Sequence, residues 1–366
     1  MKKTNKLFTG SLIVVLTMFM GSCKKCIPIS SPATDSVYVY VAGWDNINPK
    51  NYTYAKYWKN EIPVVLSQAQ DLGYANSIAI SGTDVFVAGY EVANATANKA
   101  VYWKNGNKVP LTNGANNAYA TSIAVSGPDV YVAGYENNGR KYVAKYWKND
   151  KEIILTDGVD DAYATSIVIS GNDVYVAGNE NNGAMNVYFN NLNSVAKYWK
   201  NGSPIILSNP ANSSGHAESI TVVGNDVYVA GQEDTGIAPN TRNLAKYWKN
   251  GKEVILSKVT EGNARATAIA VSGNDVYVAG YQFEGLYYEA EYWKNGQQVV
   301  LSVNTGNAIA NSIAIHVTDV YVAGYQGIAN NTLSVAQYWK NGSPILLTNA
   351  NGAHYASATS IAVVKQ

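Results

Sequence analysis

Three side chains in the second half of the chain could carry acid–base chemistry: His216, Glu218 and Arg265. An imidazole changes its charge near neutral pH, so it can accept a proton from water and pass it to a leaving group. A pair of carboxylates from different segments could also form a glycosidase site, and such a pair leaves no signature in the spacing. These three residues are therefore the ones to test for catalysis.

Other catalytic and metal-binding patterns are missing from the sequence. The histidines are scattered singly, and there is no HExxH motif, Cys–His set, GxSxG elbow or phosphate-binding loop. We therefore expect no cofactor and no built-in metal site. With 27 basic and 26 acidic residues there is no basic stripe, so we also expect no nucleic-acid partner.

Seven copies of one unit must position these residues. A VYVAG-like segment begins at Val39, Val85, Val130, Val174, Val227, Val276 and Val320. A YWKN segment follows each of them, beginning at Tyr57, Tyr102, Tyr146, Tyr198, Tyr247, Tyr292 and Tyr338. Seven copies of one unit at similar intervals indicate a repeat architecture, not one aperiodic core.

Each unit is predicted to form four short antiparallel strands. In the unit that contains Val130, the runs of strand-forming residues are 122–125, 130–135, 143–148 and 153–155. Four strands repeated seven times predict an all-β fold, a seven-bladed β-propeller over residues 36–366. A linear β-solenoid is the alternative. The chain begins with a second strand, residues 37–43, and ends with a first strand, residues 359–363, so the last strand can complete the first blade and close the ring.

Two kinds of tight turn are expected in each blade. Gly127-Pro128 predicts a type II′ turn between strands one and two, because proline cannot adopt a positive φ. Asn-Gly pairs such as Asn105-Gly106 predict the hairpin between strands three and four. In one copy Val317-Thr318 replaces the glycine pair. A β-branched residue disfavours positive φ, so we expect that turn to differ.

Nearly all variation in length between the copies falls in the loop between strands two and three. In an up-and-down blade, this loop and the connection to the next blade emerge on one face, and insertions on one face are typical of the working face of a repeat protein. The longest of these loops, residues 179–194, is either a binding loop or a tolerated insertion.

Two rings of variable residues are expected on this face. The first precedes strand one, near the mouth of the central channel: Tyr74, Tyr119, Tyr163, His216, Arg265, Ile309 and Ser357. The second follows strand two: Trp44, Tyr90, Tyr135, Asn179, Gln232, Tyr281 and Tyr325. The aromatic members, with His216 and Arg265, are the candidate ligand-binding residues, because such side chains suit recognition of sugars or peptides. The alternative is that the tyrosines only cover the ends of the blades.

The first residues are typical of a targeting segment and not of the fold. Three lysines precede an apolar run at 12–20, and Gly21-Ser22-Cys23 is similar to a bacterial lipobox. We expect a lipoprotein signal peptide over residues 1–22, lipidation of Cys23, and a flexible tether over residues 23–35. The expected location is the bacterial cell envelope, lipid-anchored, in the outer membrane. Simple secretory cleavage or an uncleaved anchor is the alternative.

The motif ATSIAVSG…DVYVAGY…AKYWKNG resembles bacterial extracellular β-propeller repeat proteins and, more loosely, HAF-type repeats. The resemblance covers residues 36–366; it implies the propeller fold and carries over no functional residues. We predict a monomeric, lipid-anchored, non-enzymatic binding or scaffolding module that takes a glycan or protein ligand through the variable-loop face. The alternative is a propeller enzyme, a hydrolase or lyase of glycan or cell-wall material, with its site at the channel mouth.

Overall fold

The structure is a computed structural model that describes residues 36–366 apart from short gaps. The gaps are residues 47–51, 69–71, 93–96, 187–190, 210–213, 235–241, 259–262, 303–305, 329–332 and 349–354. The predicted signal peptide, the lipidation site Cys23 and the predicted tether lie outside the described residues. Within the described part, no helix is long and apolar enough to cross a membrane.

The described residues form seven four-stranded antiparallel sheets, which we number as blades 1 to 7 from the N-terminus. The innermost strands are β28 (Ala356–Lys365), β4 (Leu72–Ser81), β8 (Ala118–Ser126), β12 (Ala162–Ser170), β16 (Gly215–Val223), β20 (Ala264–Ser272) and β24 (Ala308–His316). The second strands are β1 (Val37–Asn46), β5 (Asp84–Val92), β9 (Asp129–Asn137), β13 (Asp173–Asn186), β17 (Asp226–Asp234), β21 (Asp275–Glu284) and β25 (Asp319–Gly327). The third strands are β2 (Thr53–Lys59), β6 (Asn98–Lys104), β10 (Tyr142–Lys148), β14 (Asn191–Lys200), β18 (Asn243–Lys249), β22 (Tyr287–Lys294) and β26 (Ser334–Lys340). The outer strands are β3 (Ile62–Val65), β7 (Asn107–Pro110), β11 (Lys151–Ile154), β15 (Ser203–Ile206), β19 (Lys252–Ile255), β23 (Gln297–Val300) and β27 (Ser343–Leu346).

The C-terminal strand β28 closes the ring. It pairs antiparallel with β1 of blade 1 and contacts the innermost strands β4 and β24 of the two neighbouring blades. The single hydroxyl proton of Thr359 is shared between two carbonyls: Oγ1 lies 3.1 Å from Ala42 O in its own blade and 2.7 Å from Ala75 O in blade 2. The predicted seven-bladed propeller, with its last strand completing the first blade, is therefore confirmed, and a linear solenoid is excluded.

One tryptophan from every blade is buried between two blades. The seven are Trp58, Trp103, Trp147, Trp199, Trp248, Trp293 and Trp339, each at most 1% exposed. Trp147 of blade 3, for example, lies in one cluster with Phe86 and Ala88 of blade 2. Burying an indole removes about 150–250 Å² from water, which at about 25 cal/mol/Å² is worth at most roughly 4–6 kcal/mol.

The predicted turns have the expected backbone, with one exception. Gly127 has a φ of +57° and Pro128 is not in the left-handed region, whereas Asn105 and Gly106 both have positive φ, at +51° and +82°. These are the patterns of type II′ and type I′ turns. The turn at Val317, which we expected to differ, does not: its φ is +58°. That prediction is wrong because β24 and β25 pair right up to the turn, from His316↔Asp319, and so fix its geometry.

Val317→Gly is expected to raise the free energy of unfolding by about 1 kcal/mol. A left-handed φ costs a non-glycine residue about 1–2 kcal/mol, and the greater freedom of glycine in the unfolded chain offsets up to ~1 kcal/mol of that gain. Val317 is 80% exposed, so no buried contact is lost. Chemical denaturation measures the change. Thr318→Gly is the control and should destabilise; a less stable Val317→Gly protein would show that Val317 is not strained.

Candidate functional site

The two predicted rings of variable residues form a single surface. In every blade, the member of the first ring is the direct cross-strand partner of the member of the second ring. The pairs are Ser357↔Trp44, Tyr74↔Tyr90, Tyr119↔Tyr135, Tyr163↔Asn179, His216↔Gln232, Arg265↔Tyr281 and Ile309↔Tyr325. Directly opposed side chains of an antiparallel pair lie on the same face of the sheet, so the two rings line the channel mouth together.

A β-bulge next to each of these pairs determines where the backbone carbonyl of the first-ring residue lies. In blade 3 the register shifts between Ala120 and Ser122. The shift brings the Tyr119 carbonyl against Gly134, where an added Cβ would lie 2.0 Å from that oxygen. The equivalent glycine of every other blade faces the carbonyl of its own ring residue in the same way. Glycine is required here because a backbone carbonyl occupies the place of a side chain.

Aromatic rings form a continuous arc over one side of the mouth, from blade 1 to blade 4. The arc comprises Trp44, Tyr74, Tyr90, Tyr119, Tyr135, Tyr142 and Tyr163. Tyr74 stacks on Tyr90 with a centroid separation of 4.8 Å, and Tyr90 meets Tyr119 edge to face, also at 4.8 Å. Such contacts stabilise each pair by about 0.5–1.5 kcal/mol. Burial raises the pKa of Tyr90 and of Tyr135, so these phenols stay neutral.

The opposite side of the mouth carries charge. His216 of blade 5 is half-buried and Arg265 of blade 6 is exposed. Burial lowers the pKa of His216; Glu218 opposes this shift, Arg265 adds to it, and Asp234 opposes it. The imidazole is therefore neutral at neutral pH. Burial raises the pKa of the Tyr281 phenol, and the charge of Arg265 and its hydrogen bond to the phenol oxygen oppose that rise. The structure thus brings His216, Glu218 and Arg265 within electrostatic range of one another.

Glu218 stands at a position that forms a bond between blades in the other six copies. The equivalent residues are Asn76, Thr121, Thr165, Thr267, Asn311 and Thr359. Thr165 Oγ1, for example, donates to Ala217 O of the next blade at 2.7 Å. The other five donate to the equivalent alanine carbonyl at 2.7–2.8 Å. Glu218 differs, because its Oε1 accepts a hydrogen bond from Gln232 Nε2 at 3.0 Å. An ionised carboxylate cannot donate, so the ring of inter-blade bonds is interrupted between blades 5 and 6.

A second set of inter-blade bonds is interrupted at the next blade. At six interfaces, the backbone N–H of an inner-strand isoleucine donates to a serine hydroxyl of the preceding blade at 3.2–3.3 Å. At the interface of blades 6 and 7, Ala268 stands where that serine would face Ile313. Both interruptions involve β20, the strand that carries Arg265. Departures from an otherwise repeated structural rule are expected at functional sites.

Two adjoining pockets open at the mouth, one beside Arg265 and one between blades 7 and 1. The Arg265 pocket, of about 520 Å³, is lined by Arg265, Tyr281, Tyr288, Asn243, Asn263 and Asn307. The Trp44 pocket, of about 630 Å³, is lined by Trp44, Tyr287, Ile328, Leu333 and Tyr355. Asn307 and Tyr325 line both pockets.

Some of these pocket residues were missed in the sequence. Arg265, Tyr281, Tyr325 and Trp44 were predicted at the mouth, but the asparagines were not. An asparagine recurs two residues ahead of the first-ring position, at Asn117, Asn263 and Asn307. Comparing the copies at that offset would have found it.

The acidic residue that follows a second-ring member belongs to the interior of the blade. Lys145 Nζ contacts Glu136 Oε2 at 2.8 Å and Glu152 Oε1 at 2.9 Å. In blade 6 both partners of this ion pair are different. Gln282 stands at the position of the acid and Glu291 at that of the lysine, and Gln298 Nε2 donates a hydrogen bond to Glu291. These pairs stabilise the blades and are not part of the mouth.

The longest predicted loop is largely a hairpin in the structure. Strands β13 and β14 pair from Tyr175↔Lys200 to Asn186↔Asn191, with an irregularity between Asn181 and Met185. Residues 187–190 of this segment, which include Tyr188 and Phe189, lie outside the described residues. A binding role for this segment stays a prediction.

The comparisons with known proteins bear on the fold. No protein-family model matches the chain, and no curated protein matches it. Among solved structures, the chain is similar to a Mycobacterium tuberculosis puromycin-hydrolyzing peptidase, with a TM-score of 0.57 and 13% identity over 87% of this chain and 52% of that one. A Pyrococcus horikoshii acylaminoacyl peptidase gives a TM-score of 0.49 and 11% identity over 86% of this chain and 51% of that one. The chain thus spans about half the length of either peptidase. By fold, it is a seven-bladed β-propeller protein.

The prediction of a non-enzymatic binding or scaffolding module is corrected by this comparison. The solved structure that shares the fold at a TM-score of 0.57 is that of a peptidase, so the fold does not favour a non-enzymatic protein over an enzyme. The prediction gave too much weight to the absence of a contiguous catalytic motif. Residues contributed by different blades, such as His216 and Arg265, come within electrostatic range of each other without any fixed spacing in the sequence.

Proposed function

We propose that the protein is a propeller hydrolase whose active site lies at the channel mouth, around His216 and Glu218. The proposal rests on one observation: Glu218 does not form the inter-blade hydrogen bond that the equivalent residue forms in the other six blades, and Glu218 lies beside a neutral histidine. A carboxylate cannot form the donor bond that this position supplies in the other six blades. The substrate class is glycan or cell-wall material, including its peptide portions.

The proton chemistry follows from the state of His216. Because burial keeps the imidazole neutral, it can accept a proton from a water molecule as the water oxygen attacks the substrate carbon. Glu218 raises the pKa of His216, so its carboxylate stabilises the imidazolium that forms. The same proton then passes to the leaving group as its bond to carbon breaks. The Arg265 pocket beside these residues holds the substrate.

Hydrolysis assays with variants of both residues test the proposal. The panel consists of purified peptidoglycan, p-nitrophenyl glycosides and peptide p-nitroanilides. His216→Ala and Glu218→Gln should each lower turnover at least ~100-fold, the range expected for removal of a general acid–base group. His316→Ala is the matched control, because His316 ends β24 at the opposite face and should leave turnover unchanged. Absence of hydrolysis across the panel, or wild-type rates in both variants, would refute the proposal.

In the pH profile of kcat/KM, the fall on the acid side (the acid limb) is expected below pH 6.5. The pKa of His216 is lowered, so the imidazole becomes protonated, and turnover falls, only at a pH below the usual range for histidine. Arg265→Gln removes a charge that lowers this pKa and should move the limb to higher pH. A pH–rate profile of both proteins measures the shift; a limb that does not move would show that a group other than His216 limits turnover.

We also propose that this enzyme is held at the bacterial envelope as a monomer, by lipid chains on Cys23. The support lies in the leader, where lysines, a short apolar run and Gly21-Ser22-Cys23 are typical of a lipoprotein. A glycan or cell-wall substrate suits that location. Cys23→Ser should move the protein from the membrane fraction to the soluble fraction.

A further inference from the structure

Several hydrogen-bond donors converge on the Arg265 pocket. Asn263 Oδ1 accepts from Asn243 N at 3.0 Å, and Asn307 Oδ1 accepts from Tyr288 N at 2.9 Å. Both amides line the pocket, and their Nδ2 groups have no hydrogen-bond partner in the described part of the chain. Because each Oδ1 is fixed on a backbone N–H, the free end of each amide is a donor and not an acceptor.

Arg265 has no carboxylate partner among the residues that the structure describes. Its guanidinium forms no salt bridge with the described residues, while six lysines pair with the aspartate that follows each inner hairpin. Glu218, a neighbouring carboxylate, is bonded to Gln232. A guanidinium presents up to five N–H groups in a fixed plane that matches the oxygens of a carboxylate or phosphate. The Arg265 pocket therefore has the charge and the donors for an oxyanion.

The adjoining Trp44 pocket has a different character. Trp44, Tyr287 and Tyr325 supply aromatic faces, and Ile328 and Leu333 supply aliphatic ones. These side chains, which lie beside the polar Asn307, Ser334 and Ser357, favour the burial of an aromatic or aliphatic group. Since Asn307 and Tyr325 line both pockets, the pockets adjoin and one ligand can occupy parts of both.

We infer that the two pockets are adjoining subsites for an organic anion, in which a carboxylate or similar oxyanion lies next to an aromatic or aliphatic group. The oxyanion binds to Arg265, Asn263 and Asn307, and the apolar group enters the Trp44 pocket. This inference rests on the proposed function, for which it defines the substrate as one that carries such an anionic end. A peptide that ends in an aromatic residue with a free carboxylate has this chemistry.

Calorimetric binding of small probes to the full chain tests the inference. The probes are N-acetyl-phenylalanine, its uncharged amide, N-acetylglycine and phenyl phosphate. We expect N-acetyl-phenylalanine to bind at least ~10-fold more tightly than both its amide and N-acetylglycine. Arg265→Gln should abolish the preference over the amide. Arg140→Gln removes the same charge from an exposed loop outside both pockets and should change nothing. Comparison with phenyl phosphate then shows whether the oxyanion is a carboxylate or a phosphate.

Several results would overturn the inference. They are equal binding of the acid and the amide, a preference that survives in Arg265→Gln, or no binding of either anionic probe at millimolar concentration. Because binding is measured without turnover, and can be repeated in Glu218→Gln, the two proposals fail separately. Arg265-dependent binding without hydrolysis refutes the active site alone, and hydrolysis without Arg265-dependent binding refutes the subsites alone.

Discussion

Deletion of residues 356–366 is expected to abolish cooperative folding of the propeller. Without β28, blade 1 loses its innermost strand, and the cluster around Trp58 loses Ala356, Ala358 and Ile361. The hydrogen bonds from Thr359 to blades 1 and 2 disappear as well, and β1 is left with an open edge. The combined loss is comparable with the whole net stability of a domain, about 5–15 kcal/mol. Thermal denaturation followed by circular dichroism, with gel filtration, measures the effect.

A shorter deletion and an added peptide sharpen this test. Removing Lys365 and Gln366 alone leaves most of the pairing between β28 and β1, and should lower the melting temperature only slightly. A peptide of residues 355–366 added to the longer deletion should restore the transition, because it can occupy the vacant edge. If the longer deletion remained a monomer with the wild-type melting temperature, ring closure by β28 would not stabilise the fold.

Glu218→Thr is expected to abolish hydrolysis while leaving the propeller folded. At this position threonine can donate to Ala266 O, as Thr165 donates to Ala217 O. That bond is worth about 0.5–1.5 kcal/mol, and the loss of the Gln232 partner costs about 1–3 kcal/mol, so the net loss is at most about 2.5 kcal/mol and the domain stays folded. Turnover, in contrast, should fall at least ~100-fold, because threonine cannot stabilise the imidazolium of His216.

The reverse substitution in blade 4 is the matched control for the scaffold. Thr165→Glu removes the hydroxyl proton that Thr165 shares between Ala177 O and Ala217 O, and places a carboxylate against both carbonyls. It should lower the free energy of unfolding by roughly 2–3 kcal/mol. Equal stability of Thr165→Glu and the wild type would mean that this position does not require a hydrogen-bond donor. The carboxylate of Glu218 would then not indicate a functional site.

The repeat explains why so much of the fold could be predicted. Each VYVAG and YWKN segment recurs with the same turn residues, so local preference, strand pattern and ring closure agree in every copy. Val317 shows the limit of this reasoning. Its own preference disfavours a positive φ, yet the pairing of His316 with Asp319 imposes one.

The site could be predicted only in part. Comparison of the copies identified His216 and Arg265, because these two residues stand at the first-ring position that is tyrosine in three other copies. That the two rings face each other depends on the bulge near Gly134 and its equivalents, which the strand pattern does not reveal. The role of the position equivalent to Glu218 is also not visible in the sequence, because Thr165 donates to a carbonyl of another blade. In the sequence alone, Glu218 cannot be distinguished from the other residues that vary between the copies.

The rate at which Glu218→Thr hydrolyses the substrate that the wild-type protein turns over is the most direct test of the active site at the channel mouth. It should be measured beside the melting transition of the same sample. We predict a loss of at least ~100-fold with the transition preserved. Hydrolysis at the wild-type rate by a folded Glu218→Thr protein would contradict the account.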